Sequence, residues 1–231
     1  MRRLPLALLT ALLPALAPAA LEAAPHSSVV LELFTSEGCS SCPPAEDLIG
    51  ELARANPDVL ALGFHVDYWN GPGWMDRFAF PGATTRQRDY AASLGKGVYT
   101  PQLVVDGRFQ AVGSDRAAVL AAIASARDEL VAGPAVSIAP GGRGVTVQVA
   151  AGNGQGDVVL AGFDNPRTTN VGGGENTGHV LTDVNPVRGL VQLGRWHGEA
   201  ADFTARRPDG DHVAVLVQGA DGAIIAASVL K

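Results

Sequence analysis

Cysteine, charged and aromatic residues are all scarce in this chain of 231 residues. Two cysteines are too few for a disulfide-dense scaffold. Charged residues make up 17% of the sequence, the net charge is −6, and no long Lys/Arg run occurs, so nucleic acid is not expected as a partner. Hydrophobic residues make up 47%, which is enough for a packed core, and 28 glycines with 15 prolines predict frequent turns.

The N-terminus lacks an unbroken apolar run of the roughly 20 residues that a transmembrane helix needs. It has instead the three parts of a secretory signal peptide. These are Arg2 and Arg3, an apolar run over residues 4–16, and Ala17-Pro18-Ala19 as a cleavage site. We therefore predict a signal peptide over residues 1–24 and a periplasmic or secreted protein with no stable membrane insertion after cleavage. Disulfides persist in that compartment.

Strand and helix patterns alternate through residues 25–133. Short apolar, β-branched runs predict strands, and longer segments with one apolar face predict helices. The predicted strands are Val29–Thr35, Val59–Val66, Leu103–Val105 and Phe109–Val112; the predicted helices begin at Pro43, Thr84 and, after a Ser114 cap, Asp115. A strand–helix–strand crossover implies a parallel pair, and Asp106-Gly107 predicts a tight antiparallel hairpin. We expect a mixed α/β sheet flanked by helices on both faces.

The pattern changes after Gly133-Pro134. Residues 134–231 contain eight short predicted strands separated by Gly or Asp/Asn turns, and no helical periodicity. We predict a β-rich, sandwich-like C-terminal region, with the domain boundary at Gly133-Pro134. No feature of the sequence indicates an oligomeric state.

Cys39 and Cys42 form a Cys-x-x-Cys pair between a predicted buried strand and a predicted helix. A helix N-terminus carries roughly +0.5 charge and stabilises a thiolate. We predict that Cys39 is the nucleophile of a thiol–disulfide oxidoreductase and that Cys42 resolves the mixed disulfide, with protein thiols or disulfides as partners. This hypothesis requires the sulfur atoms to be open to solvent and close to the Thr100-Pro101 segment.

Other interpretations of the pair remain open. The two cysteines can form a structural disulfide, including one on a scaffold now used as a binding module, although a four-residue ring contributes only about 2 kcal/mol. They can also carry a soft metal such as copper, with His65 as an added ligand. A structural zinc site needs four ligands, so the sequence predicts neither a resident metal nor another cofactor.

Thr100-Pro101 stands at the entry to a predicted strand. A cis peptide there would turn the Thr100 backbone outward, where an extended partner can pair with it. Only about 5% of X-Pro bonds are cis, so the local sequence by itself favours an ordinary trans proline.

The segment after the second predicted strand concentrates unusual side chains. Tyr68 and Trp69 can line a partner-binding groove beside the cysteines, since ligands tend to bind at the carboxyl ends of strands. His65 can accept a proton from a thiol while Asp67 holds its ring. A histidine satisfied within the core is the favoured alternative. Arg86 is predicted to pair with Asp67, to bind a carboxylate, or to lie on a solvated helix face.

Residues 171–178 (VGGGENTG) resemble a phosphate cradle only superficially, because neither a Lys-Ser/Thr pair nor a helix follows. We favour a mobile hairpin tip for this segment. In the alternative, four polar side chains face the first domain and tie the halves together: Glu175, Asn176, Asn185 and Arg188.

Several blocks of the sequence resemble one known family. LELFTSEGCSSCPPAE, ALGFHVDYWNGPGWMDRF, TTRQRDYAASLG, VYTPQLVVDGR and GGGENTGHVLTDVNPVRGL are similar to the secreted bacterial "domain of unknown function 1223" family of thioredoxin-like proteins. The similarity extends over residues 29–231.

The resemblance implies a thioredoxin-like fold with an added β-rich region and a cis Pro101, and it supplies no reaction. Two departures from ordinary thioredoxins stand out: Gly38 replaces a tryptophan before Cys39, and Ser40-Ser41 replaces Gly-Pro between the cysteines. That dipeptide helps to set the reduction potential, so the sequence does not distinguish an oxidant from a reductant.

Overall fold

A computed structural model describes residues 29–129, 133–142 and 144–230, and the predicted signal peptide lies outside these ranges. The first seven elements are β1 (Val29–Thr35), α1 (Pro43–Ala55), β2 (Val59–His65), α2 (Pro81–Leu94), β3 (Gln102–Val105), β4 (Phe109–Val112) and α3 (Arg116–Asp128). Nine strands follow: β5 (Val136–Gly141), β6 (Gly144–Val149), β7 (Gly156–Phe163), β8 (Arg167–Asn170), β9 (Val180–Asp183), β10 (Val187–Trp196), β11 (Ala201–Ala205), β12 (His212–Gln218) and β13 (Ile224–Leu230). The described chain is a mixed α/β structure in which strands predominate. None of its described helices has the length and apolarity to cross a membrane.

The first sheet has the order β2-β1-β3-β4. β1 runs parallel to β2, and α1 forms the crossover between them, while β3 and β4 are antiparallel to their neighbours. Every residue of β1 and β2 is buried, which explains why both strands are nearly continuous apolar runs. This is the mixed sheet that the sequence predicts.

The two faces of this sheet are covered differently. On one face, alternate β1 side chains pack against α1 and α3; this core includes Leu31, Leu33, Ile49 and Val119. The opposite face packs against α2 and also against strands from the second half of the chain; this core includes Phe34, Phe64, Tyr90, Phe163 and Leu216. The sequence predicts helices on both faces but does not predict that a second sheet shares one of them.

The second half contains two antiparallel sheets with the orders β10-β7-β12-β13 and β11-β6-β5. Their facing side chains form a third core, which includes Val145, Val147, Leu160, Trp196 and Val215. This arrangement is the sandwich-like, β-rich region expected from the sequence.

β12 joins the two halves because both of its faces are buried. Val213, Val215 and Val217 point into the sandwich core, whereas Ala214 and Leu216 point into the core shared with the first sheet. The boundary at Gly133-Pro134 remains a prediction, since the adjacent residues 130–132 lie outside the described ranges.

The tight turn at Asp106-Gly107 is confirmed. Asp106 and Gly107 have φ angles of 47° and 66°, and the Arg108 N–H donates to the Val105 carbonyl at 3.0 Å. Two consecutive positive φ angles are the requirement of a type I′ turn.

Some predicted boundaries are wrong. α2 begins at Pro81 rather than Thr84, since proline suits the first turn of a helix. Asp115, not Ser114, caps α3: its carboxylate accepts the Ala118 N–H at 3.1 Å. The short strand β8 was not predicted because its sequence, RTTN, has no apolar alternation.

Candidate functional site

Cys39 and Cys42 lie where β1 passes into α1. Their sulfur atoms are bonded at 2.11 Å, with the Cα atoms 5.4 Å apart. Cys42 is the residue immediately before the first turn of α1, and Pro43 and Pro44 occupy the first two helical positions. Because proline has no N–H, this helix start presents fewer free donors to a thiolate than an ordinary one.

The Thr100-Pro101 segment meets the cysteine pair as predicted. The Thr100–Pro101 peptide is cis, in agreement with the family resemblance. Thr100 Oγ1 lies 3.4 Å from Cys39 Sγ and accepts the indole N–H of Trp69 at 2.9 Å. Three predicted site residues, Cys39, Thr100 and Trp69, therefore form one connected group.

Both cysteines are buried, contrary to the requirement that the redox hypothesis places on them. Cys39 and Cys42 are each 1% exposed, while Ser40 and Ser41 between them are exposed. A segment more than a hundred residues further along the chain contributes to the cover over Cys39. Residues 171–179, here called the cap segment, join β8 to β9 and pack over the turn that carries Cys39.

Polar contacts hold the cap segment in place. Asn176 Nδ2 donates to the carbonyl oxygens of Glu37 and Cys39, both at 2.9 Å. The Glu175 carboxylate accepts the Ser40 N–H at 3.1 Å and the Ser40 hydroxyl at 2.7 Å. The segment does connect two paired strands, as the favoured interpretation of a mobile hairpin tip requires, but nothing in the structure tests its mobility. The alternative is correct for Glu175, Asn176 and Asn185, which bond residues of the first half.

Glycine is required where the cap segment meets the loop before α2. A Cβ atom on Gly173 would lie 1.7 Å from the carbonyl oxygen of Gly73. The glycine run thus serves close packing of two backbones. The neighbouring Trp74 donates its indole N–H to Glu37 Oε2 at 2.9 Å.

His65 is not held by Asp67, and that part of the prediction is wrong. His65 is fully buried, and its Nδ1 lies 2.7 Å from Asp76 Oδ2. Asp67 instead accepts the Thr84 hydroxyl at 2.5 Å, because the chain turns at Asp67 and directs its carboxylate toward the start of α2. The favoured interpretation of His65 as a satisfied core histidine is correct for its burial but not for its hydrogen bonds, because Nε2 has no partner among the described residues.

Burial lowers the pKa of His65, but the negative charges of Asp76, Asp183 and Glu46 outweigh it and raise the pKa to about 9. Burial also raises the pKa of Glu46 and of Glu37, and it raises the pKa of Asp183 to about 7. These acidic groups surround a single imidazole beside the disulfide. Glu46 and Asp183 line a recess of about 130 Å³, together with Cys42, Asp47 and Thr182 among others.

Arg86 lies neither beside Asp67 nor on a solvated face; it does bind a carboxylate, that of Glu32. Its Nε donates to Glu32 Oε1 at 2.5 Å, its Nη2 donates to Glu32 Oε2 at 3.1 Å, and Tyr90 and Gln218 complete the group. Burial disfavours the charged guanidinium, yet the Glu32 carboxylate holds the pKa of Arg86 above its ordinary value. Arg86 is therefore a buried structural cation away from the cysteines.

Tyr68 lies at the surface, 42% exposed, and its hydroxyl donates to Gln87 Oε1 at 3.1 Å. The Tyr68 ring is accessible to a partner, whereas the indole N–H of Trp69 already donates a hydrogen bond to Thr100.

The sequence reasoning missed five acidic residues that define the two buried polar clusters: Glu32, Glu37, Glu46, Asp76 and Asp183. One of them carries a signal in the sequence. Glu32 stands in the middle of a strand that is otherwise apolar and buried on both faces, which requires a buried cationic partner. Glu46, Asp76 and Asp183 have no comparable local signal.

A family model described as "Protein of unknown function (DUF1223)" matches residues 30–218. The chain belongs to this family. None of the curated proteins matches it.

Solved structures similar to the chain include the following two. Protein AGR_C_4864 from Agrobacterium tumefaciens is 35% identical, with a TM-score of 0.74, over 87% of this chain and 93% of that one. HBP35 of Porphyromonas gingivalis is 16% identical, with a TM-score of 0.59, over 89% of this chain and 75% of that one. The second likeness concerns the fold alone.

Proposed function

We propose that the protein is a secreted thiol–disulfide exchange protein of thioredoxin-like architecture whose reactive disulfide is covered by the cap segment. The observation that carries this proposal is the contact of Thr100 with Cys39 Sγ, next to a bonded Cys-x-x-Cys pair at a helix start. A disulfide that served only as a staple would not need a polar hydroxyl beside one sulfur.

The exchange begins when a partner thiolate attacks Cys39 Sγ. A bond forms between the partner and Cys39, the Cys39–Cys42 bond breaks, and Cys42 leaves as a thiolate. A second partner thiolate then attacks the partner sulfur and releases Cys39, so that the partner is oxidised to a disulfide and this protein is reduced by two electrons. The reverse sequence reduces a partner disulfide.

The partner surface in this proposal comprises Thr100, Pro101, Tyr68 and Trp69. The partner backbone pairs beside Thr100, and the exposed ring of Tyr68 supplies apolar contact. His65, Asp67 and Arg86 have supporting roles only, since each is engaged in internal hydrogen bonds.

In this proposal the cap segment moves to admit the partner, because both cysteines are buried and the cap segment contacts the turn that carries Cys39. The Asn176→Ala substitution removes two hydrogen bonds that close the cap. If their joint loss destabilises the closed state by about 1.4 kcal/mol, reduction by dithiothreitol accelerates about tenfold. Asn165→Ala is the matched control, because Asn165 bonds Asp211 within the β-rich half.

The rate of disulfide reduction is measured by trapping free thiols with a maleimide at timed intervals and identifying the products by mass spectrometry. Equal reduction rates in the wild type and Asn176→Ala would show that the cap segment does not control access to the disulfide.

In reduced protein, faster alkylation of Cys39 than of Cys42 supports Cys39 as the nucleophile. A Cys42→Ser variant that traps no mixed disulfides would contradict the exchange function.

The burial of both cysteines favours a second candidate, a binding module in which the disulfide is structural. A reduction potential below about −300 mV, together with slow and equal alkylation, supports this candidate. The soft-metal carrier would use the same two sulfur atoms in reduced form, and stoichiometric uptake lost in Cys39→Ser would identify it.

A further inference from the structure

Three buried polar atoms converge beside the disulfide without hydrogen-bond partners among the described residues: Glu46 Oε1, His65 Nε2 and Asp183 Oδ2. Each of these residues offers one ligand atom, and the ligand atoms of the three lie within 4.8 Å of one another. An unpaired buried polar atom costs roughly 1–3 kcal/mol, so three at one point need a common explanation.

His65 is oriented as a metal ligand would be. Asp76 Oδ2 lies 2.7 Å from His65 Nδ1, so the carboxylate accepts the Nδ1 proton and Nε2 faces the other two residues, where a bound cation would replace the Nε2 proton. Asp76 is itself fixed, because its Oδ2 accepts the Glu37 N–H at 2.9 Å and its Oδ1 accepts the Phe78 N–H at 2.9 Å.

The two carboxylates come from separate, anchored elements. Glu46 projects from α1, and its Oε2 accepts the Val184 N–H at 2.8 Å while Oε1 stays free. Asp183 ends β9, and its Oδ1 lies 4.0 Å from His65 Nε2. These distances allow a cation to draw the three ligand atoms together by a small shift of the side chains.

The connection after β9 is clamped to the edge of β2, which carries His65. Asn185 Nδ2 donates to the Ala61 carbonyl at 2.9 Å, and the Gly63 N–H donates to the Asn185 carbonyl at 3.1 Å. A Cβ atom on Gly63 would lie 2.4 Å from the Val184 carbonyl oxygen, so glycine permits this approach. The backbone that carries the three candidate metal ligands, Glu46, His65 and Asp183, is thus held in a fixed position.

Among the described residues, carboxyl groups outnumber cationic groups at this point. Within the described part of the chain, neither Glu46 nor Asp183 forms an ion pair with a lysine or arginine, and His65 is already paired with Asp76. A cation can enter from solvent, because the recess that contains Glu46 and Asp183 runs to the exposed residues Asp47 and Thr182.

We propose that Glu46, His65 and Asp183 bind one divalent cation of the first transition row. One imidazole nitrogen and two carboxylate oxygens suit Zn²⁺, Mn²⁺ or Fe²⁺ better than copper(I), which prefers sulfur, and better than Ca²⁺ or Mg²⁺, which prefer oxygen alone. Solvent completes the coordination. The site uses neither cysteine, so it stands independently of the proposed exchange function.

The test titrates Zn²⁺ alone into chelator-treated, disulfide-bonded protein by calorimetry. We expect one Zn²⁺ per chain, with affinity lowered roughly tenfold or more by Glu46→Gln and by Asp183→Asn. Asp47→Asn is the matched control at the mouth of the recess and should bind like the wild type. A Cys39→Ser/Cys42→Ser protein should also retain binding, which separates this site from any thiolate site.

A second measurement does not depend on the variants. Co²⁺ bound to the wild type should give visible d–d bands without the near-ultraviolet charge-transfer band of thiolate ligation. Failure of the oxidised wild type to take up Zn²⁺ would overturn the proposal. So would Glu46→Gln and Asp183→Asn proteins that fold and bind as tightly as the wild type.

Discussion

Two clusters of charged side chains are buried in this protein, and they differ in how completely their hydrogen bonds are satisfied. In the first, Glu32 and Arg86 are joined by Tyr90 and Gln218, and none of their polar side-chain atoms lacks a partner within the described ranges. In the second, Glu46, His65 and Asp183 each leave one atom unpaired. The first cluster has the character of a structural element and the second that of a binding site.

The difference follows from the cation in each cluster. A guanidinium offers five N–H donors in a planar fork and can satisfy a carboxylate and a neighbour at once. An imidazole offers at most two, and Asp76 uses one of those of His65. Acidic side chains around a histidine are therefore short of positive charge and of donors.

The largest expected effect comes from breaking the satisfied cluster. Arg86→Met leaves the Glu32 carboxylate buried without a cation and should lower the free energy of unfolding by roughly 3–5 kcal/mol, measured by urea denaturation. Arg116→Met, which removes an exposed pair with Glu51, is the control and should have no measurable effect. Glu32→Gln/Arg86→Met should recover much of the loss, and no recovery would contradict the assignment of the cost to an unpaired charge.

Another buried carboxylate, Asp106, belongs to neither cluster and offers a comparison by pH. Its carboxylate accepts the Val30 N–H at 2.6 Å, but burial raises its pKa from 3.8 to about 6. The folded state therefore holds the proton more tightly than the unfolded state. This contribution to stability is complete below pH 3.8 and is lost as the pH rises through about 6.

Asp106→Asn keeps an acceptor for Val30 and tolerates the positive φ angle of the turn. The variant should be more stable than the wild type by about 3 kcal/mol at pH 7 and nearly equal to it below pH 4, since each pKa unit corresponds to about 1.4 kcal/mol. Urea denaturation between pH 3 and pH 8 measures the difference. A difference that does not change with pH would refute the role of Asp106 ionisation.

The smallest expected effect is that of Glu46→Gln, and its sign is opposite to that of the same substitution at Glu32. With a chelator present, Glu46→Gln should raise the free energy of unfolding by about 1 kcal/mol, because the amide adds donors where acceptors lack partners. The same substitution at Glu32 should destabilise the protein, because Arg86 then loses its counter-charge. Thermal unfolding of both variants tests this, and a change of the same sign in both would remove the distinction between the clusters.

Much of the fold could be predicted from sequence because its signals are local. The continuous apolar runs of Val29–Thr35 and Val59–Val66, the Pro43 helix start and the Asp106-Gly107 turn each depend on a few neighbouring residues. β8 was missed because its polar sequence forms a strand only through pairing with β9. Trp69 and Thr100 were placed correctly near Cys39, whereas the partners of His65 and Arg86 were not.

Local sequence patterns specify which residues form most of the strands and helices, and they place the cysteine pair between a strand and a helix. Only the tertiary structure decided that Asn176 and Glu175 cover Cys39, that Glu32 neutralises Arg86, and that Asp183 meets Glu46 and His65. The reason is the distance along the chain over which each kind of interaction acts. Backbone preferences and apolar periodicity act within a few residues, whereas the pairing of buried charges depends on which distant segments the packed sheets bring together.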